Sequence, residues 1–205
     1  MRRKKAITFV DDKQQVKHKN FSNLELSKIT AWSKSNKIRF NDEKSKVMFI
    51  SRRKRKEAKE IKVYLNNKVT TMKYLGIIID NKFRFSEHIS YVAERCTKLI
   101  HSLSKSAKVS WGLKHEVLKT IFKRAILPLL LYGAPVWLEA MKYEYNRLQY
   151  IRVQRLTNIR MAKAFGTTSR EALCTLTGMT PIIIKTEEGV KQYNIRKGKG
   201  SQTLI

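Results

Sequence analysis

Acidic residues are scarce in this chain. Sixteen Asp and Glu stand against 44 Lys and Arg in 205 residues, a formal net charge of +28. That imbalance argues against a small-molecule enzyme with no polyanionic partner, because self-repulsion weakens a compact state unless counter-charge is supplied. It suits a surface that lies against phosphate. Cysteine is equally sparse. Cys96 and Cys174 stand 78 positions apart, with no CxxC pair. They build neither a disulfide framework nor a zinc site, and both read as reduced core residues. Three prolines and eight glycines exclude a linker-rich or low-complexity chain. Long hydrophobic runs are missing too. Residues 125–138 are the most apolar stretch, yet they are interrupted by two prolines and fall short of the ~20 residues that cross a bilayer. The basic start of the chain lacks the apolar run of a signal peptide. An intracellular protein, nuclear or cytoplasmic and not secreted, with no membrane partner, is the expectation.

What is present can fold. A hydrophobic fraction of 42% and an aromatic fraction of 9% supply a core, against the disorder that high charge alone would suggest. Helical periodicity first appears over residues 21–36, with Phe21, Leu24, Ile29, Ala31 and Trp32 on one face. Residues 47–50 read as a short strand. Ile61, Val63 and Leu65 alternate as a strand, with Asn66-Asn67 as a hairpin turn and a return through Val69 and Met72. The run Lys73 to Asp80 reads as one continuous buried strand. From Ser86, a candidate N-cap, a long helix places Ile89, Val92, Ala93, Cys96, Leu99, Ile100, Leu103 and Ala107 on one face. Trp111-Gly112 ends it. A second helix starts near Lys114 with Leu118, Ile121, Phe122, Ala125, Ile126 and Leu129 inward and a kink at Pro128. A third covers about residues 141–165, with Met141, Tyr145, Leu148, Ile151, Leu156, Ile159 and Ala162 inward and Arg147, Arg152, Arg155 and Arg160 on other faces. Thr168-Ser169-Arg170-Glu171 reads as a capping box for a short helix that stops at Gly178, and Thr180-Pro181 starts a last one with Pro at its first position. The fold class is α+β. Residues 1–85 hold a helix and strands, 86–180 are all helical, and 181–205 form a basic helix and tail.

Four features carry candidate chemistry. Phe9-Val10-Asp11-Asp12 could supply carboxylates to hard divalent ions, which prefer oxygen ligands; a solvated surface pair is the plain alternative. Lys44, on the turn 40–46, could donate a proton or clamp a triphosphate, or simply be solvated. The run Arg52-Arg53-Lys54-Arg55-Lys56 could contact several phosphates without reading sequence, and it also fits a nuclear localisation signal. Trp111, Trp137, Tyr132, Tyr143 and Tyr150 lie near cations and could stack on bases, although helix-core packing explains most of them. His18, His88, His101 and His115 lack metal spacing. No Ser/His/Asp set and no glycine-rich phosphate loop is present.

Taken in order, these motifs resemble the C-terminal part of a reverse transcriptase from an insect non-LTR (LINE-type, jockey-like) retrotransposon. Phe9-Val10-Asp11-Asp12 is similar to the family's aromatic-x-Asp-Asp box. Trp32 with residues 36–46 resembles the next palm motif, and Lys73-Tyr74-Leu75-Gly76 resembles the primer-grip hairpin. Leu127-Pro128, Leu131-Tyr132-Gly133 and Trp137 resemble the thumb and connection signature, continued by Gln154-Arg155, residues 167–173 and residues 177–182. The resemblance implies a partial palm (helix plus β-hairpin strands) followed by a helical thumb/connection bundle. It implies Mg²⁺ at Asp11 and Asp12, a leaving-group role for Lys44, and a primer 3′ end seated by Tyr74, Leu75 and Gly76. Residues 52–56 with Arg152 and Arg155 would face an RNA or RNA/DNA template–primer, with no small-molecule cofactor. Only eight residues precede Phe9, so the fingers and the strand bearing the first metal-binding aspartate have no counterpart. The expectation is a truncated copy that keeps a template–primer-binding surface and is not catalytic alone. A stand-alone nucleic-acid-binding module and a relic without function are the alternatives.

Overall fold

In a computed structural model the described residues are 15–39, 46, 48, 50, 69–108 and 115–198. Asp11, Asp12, Lys44 and the run Arg52 to Lys56 lie outside them. So do the strand 61–65, its Asn66-Asn67 turn and the break at Trp111-Gly112. The chain divides into two compact units, Met1–Phe83 and Arg84–Ile205.

The first unit holds helix α1, Gln15–Ser35, and strands β1, Thr71–Tyr74, and β2, Ile77–Asp80. Helix α1 starts earlier than the periodicity indicates. Its expected apolar face is not buried: Leu24, Ile29 and Trp32 are exposed, whereas Ser33 is buried. Hydroxyls of Ser27, Thr30, Ser33 and Ser35 bond back to carbonyls three or four residues upstream. Such local bonds satisfy polar side chains without a partner surface.

Residues 73–80 are not one strand. β1 and β2 pair antiparallel, with Tyr74 opposite Ile77 and Thr71 opposite Asp80. Leu75 (φ 46°) and Gly76 (φ 87°) form the two-residue turn. Two positive φ values in succession make the mirror-image turn whose twist matches paired strands. Glycine supplies one of them without steric cost. Residue-by-residue patterning missed this because a β-branched run carries no mark of the reversal; the family resemblance, which reads Tyr-Leu-Gly as a hairpin, agrees with the turn. Past β2, Asp80 accepts the Lys82 amide at 2.8 Å.

Among the described residues the regular elements of the second unit are all helical: α2 (Ser86–Lys108), α3 (His115–Ile121), a π-turn (Phe122–Ile126), α4 (Leu127–Leu131), α5 (Ala134–Trp137), a 3₁₀ turn (Leu138–Lys142), α6 (Glu144–Ala162), α7 (Arg170–Thr177) and α8 (Ile182–Arg196). Helix α6 is the hub and packs against α2, α3, α7, α8 and the 3₁₀ turn. Helix α2 follows its sequence pattern. Ile89, Val92, Ala93, Cys96 and Ile100 are buried, although Leu99 is exposed. Ser86 is its first helical residue rather than its cap, and its hydroxyl shares a 2.8 Å hydrogen bond with that of Tyr145.

The helix is irregular next to Pro128, where a π-turn interrupts the α-helical ladder. The proline sits at the start of α4, immediately after a π-turn, where the hydrogen-bond ladder already departs from α spacing. The π-turn before it holds one extra residue per turn, which rotates everything downstream. Phe122, Ile126 and Leu130 therefore line up inward, Ala125 is exposed and Leu129 is only half-buried.

Helix α6 departs furthest. Its buried residues are Asn146, Tyr150, Val153, Gln154, Thr157, Asn158 and Met161. The expected face, Tyr145, Leu148, Ile151, Leu156, Ile159 and Ala162, is exposed or half-buried on the opposite side. The polar residues go inward because the packed segments offer them partners. Asn146 donates to the Ala140 carbonyl at 2.8 Å, and Gln154 bridges Thr180 and Ile182. Helix α7 is capped one residue later than expected, by the Ser169 hydroxyl accepting from Ala172. It closes at Gly178 (φ 60°) as expected. Pro181 is the cap of α8 rather than its first residue.

Candidate nucleic-acid interface

The second unit carries 21 Lys and Arg against 8 Asp and Glu, a net +13. Within it the arginines of α6 and α7 converge. Helical spacing sets Arg152 and Arg155 one turn apart on α6. The Ser169 cap starts α7 so that Arg170 stands in its first turn. A groove of about 450 Å³ runs between them, lined by Arg152, Arg155, Thr167, Thr168, Ser169 and Arg170 with Leu148, Ile151 and Glu171. Glu171 is its single carboxylate. It lies 4.0 Å from Arg170, and both are exposed, so the pair neutralises little.

The arginines differ in state. Arg155 is half-buried, and its guanidinium donates to the carbonyls of Thr168 (2.7 Å) and Gly166 (2.5 Å). It straps the loop between α6 and α7 to the side of α6. Arg152 is exposed to solvent. Arg160 donates to the Leu156 carbonyl and lies 3.4 Å from His101 Nδ1, and burial lowers its pKa. Beside the groove lies a cavity of about 200 Å³ lined by Ile151, Gln154, Asn158, Leu173, Cys174 and Ile182, among others. Among the described residues the Asn158 side-chain amide oxygen, Oδ1, in its wall has no hydrogen-bond partner.

Burial pushes Cys96 up to about 11 against the opposing effect of Arg95. It also raises Cys174, helped by Glu171 and opposed by Asn158 and Arg170. Both shifts favour the protonated thiol over the thiolate. Tyr150 is fully buried, its pKa well above the usual range through burial and then Cys96, and its hydroxyl donates to the Leu130 carbonyl at 3.1 Å. It is a packing residue, like Trp137. Tyr132 and Tyr143 are exposed.

Several known proteins match this chain. It is 31% identical over 149 residues, 71% of this chain and 38% of the relative, to the Retrovirus-related Pol polyprotein from type-1 retrotransposable element R1 4 of Nasonia vitripennis. It is 26% identical over 183 residues, 86% of this chain and 45% of the relative, to the R1 2 polyprotein of the same species. The RNA-directed DNA polymerase from mobile element jockey of Drosophila melanogaster matches at 27% over 139 residues, 65% of this chain and 15% of the relative. The chain is a homologue of non-LTR retrotransposon Pol proteins. It spans less than half the length of these relatives. No protein-family model matches the chain, and no solved structure matches it.

In this Pol homologue the described site positions carried over by resemblance fall in both units. Tyr74, Leu75 and Gly76 form the hairpin turn of the first unit, with the Leu75 side chain exposed. Arg152 and Arg155 lie in the groove of the second. Among the described residues no group of three His, Cys, Asp or Glu is placed to hold a metal ion. No single described helix is long and apolar enough to cross a membrane. The bent pair His115–Leu131 and Ala134–Lys142 passes that test jointly, yet it buries Phe122, Ile126, Leu130 and Trp137 inside the fold. Sequence reasoning did not single out Arg170 as a contact. The signal was the Ser169 cap, which fixes where the following arginine stands.

Proposed function

We propose that this chain binds the phosphate backbone of an RNA or RNA/DNA template–primer as part of a non-LTR retrotransposon RNA-directed DNA polymerase. The observation that carries the reading is the convergence of Arg152, Arg155 and Arg170 on one groove holding a single carboxylate. Guanidinium groups bind phosphate in fork geometry, and such contacts fix position without reading bases. The family names of the relatives, which include an RNA-directed DNA polymerase, support it. Arg52, Arg53, Lys54, Arg55 and Lys56 are proposed as a second phosphate-contacting segment.

A salt titration of binding to an RNA/DNA duplex tests this. Each phosphate contact releases counterions, so log K falls linearly with log salt. Arg152→Gln with Arg170→Gln is expected to reduce that slope by about 2, roughly one per contact. Arg155 is left intact, since its loss would free the loop as well as remove charge. Arg52→Gln, Arg53→Gln and Arg55→Gln together should lower the slope further. A slope unaltered by the first pair removes the groove from the interface.

These 205 residues alone are also proposed not to polymerise. Asp11 and Asp12 form one adjacent carboxylate pair, and two-metal phosphoryl transfer calls for a further carboxylate held opposite them. The parent family's Mg²⁺ would supply charge stabilisation at the transferred phosphoryl group; Lys44 would stand beside the leaving pyrophosphate. Primer extension on an RNA template with Mg²⁺ should yield no product. Template-dependent extension that disappears in Asp11→Ala would overturn this.

A further inference from the structure

Phe165 is the most exposed large apolar side chain among the described residues, at 84%. It stands in the loop between α6 and α7, two positions past Lys163, which ends α6 in the left-handed region (φ 50°). Folding gains almost nothing from a phenyl ring so placed. Yet the backbone beneath it is fixed. Ala164 donates to the Ile159 carbonyl at 3.1 Å, and Thr168 donates to the Phe165 carbonyl at 3.1 Å. The Arg155 guanidinium holds the Gly166 and Thr168 carbonyls of the same turn. A ring on a pinned turn can bind with little further loss of backbone freedom.

Its surroundings identify the occupant. Lys163, Gly166 and Thr167 are exposed, and Ala164 and Thr168 are half-buried. Within its own loop the ring is the single aromatic, flanked by Lys163, Gly166, Thr167 and Thr168. Two and three positions further on, Thr167 and Thr168 of this same loop line the groove of Arg152, Arg155 and Arg170. An aromatic face beside a cationic track is the arrangement that holds a single strand, with a base on the ring and its phosphates on the cations.

We infer that Phe165 is a stacking platform for an unpaired base of a nucleic-acid strand whose phosphates lie along the α6–α7 groove. The inference rests on the groove being a phosphate site and adds a preference for single-stranded over duplex partners. Stacking is tolerant of base identity, because every base offers a π face.

The test uses the full chain and two labelled 12-nucleotide probes read by fluorescence anisotropy: oligo(dT), and the same backbone with abasic residues throughout. The unaltered protein is expected to bind oligo(dT) about 10-fold more tightly than the abasic strand. Phe165→Ala should abolish that difference, Phe165→Trp should preserve it, and affinity for a blunt duplex should stay the same in both. An unaltered melting temperature in Phe165→Ala is the expected control for such an exposed side chain. Equal discrimination by the alanine variant and the parent would overturn the inference. So would an alanine effect confined to self-association in sedimentation, which would make the ring a contact between copies. Failure of the underlying reading looks different: both probes would then bind independently of Arg152 and Arg170.

Discussion

Replacing Trp137 by alanine is expected to remove about 3–5 kcal/mol of stability from the helical unit, the range for deleting a buried large aromatic ring. Three observations converge on this side chain. It is fully buried. Its ring meets Tyr150 edge-on with centroids 5.4 Å apart and lies 6.3 Å from His88. Its indole N–H donates to the Tyr132 carbonyl at 2.8 Å. That bond closes the short segment from α4 through the left-handed Gly133 (φ 68°) into α5. Alanine would leave a void and withdraw the indole donor from that carbonyl. A domain of this size holds on the order of 5–15 kcal/mol in total, so the variant should melt early or lose its cooperative transition by circular dichroism. Trp137→Phe keeps a ring edge against Tyr150 but not the donor, and it should lose distinctly less. If alanine cost under about 1 kcal/mol, Trp137 would not be the centre of this core.

The legibility of this fold tracks how locally each element is determined. Helix α2 could be read because one continuous apolar stripe meets one surface along most of its length. The turn at Gly178 was visible because a left-handed cap is a single-residue requirement. Helix α6 misled for a tertiary reason. It is amphipathic in neither sense, with leucine and isoleucine on the half-buried side and Asn146, Gln154, Thr157 and Asn158 facing inward. Periodicity scores hydrophobicity, but burial here is decided by hydrogen-bond partners on α7, α8 and the 3₁₀ turn, which no local window contains. The π-turn at Phe122–Ile126 has a similar effect. One extra residue per turn moves the inward position from Leu129 to Leu130, and only Pro128 hinted at irregularity. The candidate site was legible in part. Arg152 and Arg155 were named from their helix, yet the structure gives Arg155 two backbone carbonyls to hold. Its role in the groove is thus to shape the loop that carries Phe165 as much as to meet phosphate.

Gln154→Leu is expected to be the second most damaging substitution, at about 2–4 kcal/mol, because two backbone groups lose their partner at once. The Gln154 amide donates to the Thr180 carbonyl at 2.7 Å and accepts from the Ile182 N–H at 2.8 Å. It therefore does for α8 what a side-chain cap would do, since the Pro181 cap offers none. Leucine matches the volume and the apolar packing, so the loss would isolate the hydrogen bonds. Gln154→Glu gives the signed counterpart. An ionised carboxylate still accepts from Ile182 but faces the Thr180 carbonyl, and burial disfavours its charge. The folded state would thus hold this carboxyl's pKa above its unfolded value. Its stabilising contribution is then present below the unfolded pKa and is lost as pH rises through the folded one. The stability gap between Gln154→Glu and the parent should consequently narrow as pH is lowered from 7 toward 4 in urea melts. A gap independent of pH would mean that the side chain at 154 is solvated rather than locked between α6 and α8. Because Gln154 also lines the cavity beside the arginine groove, a variant that loosens α8 while leaving the salt slope of binding intact would show that the phosphate contacts depend on α6 and α7 alone.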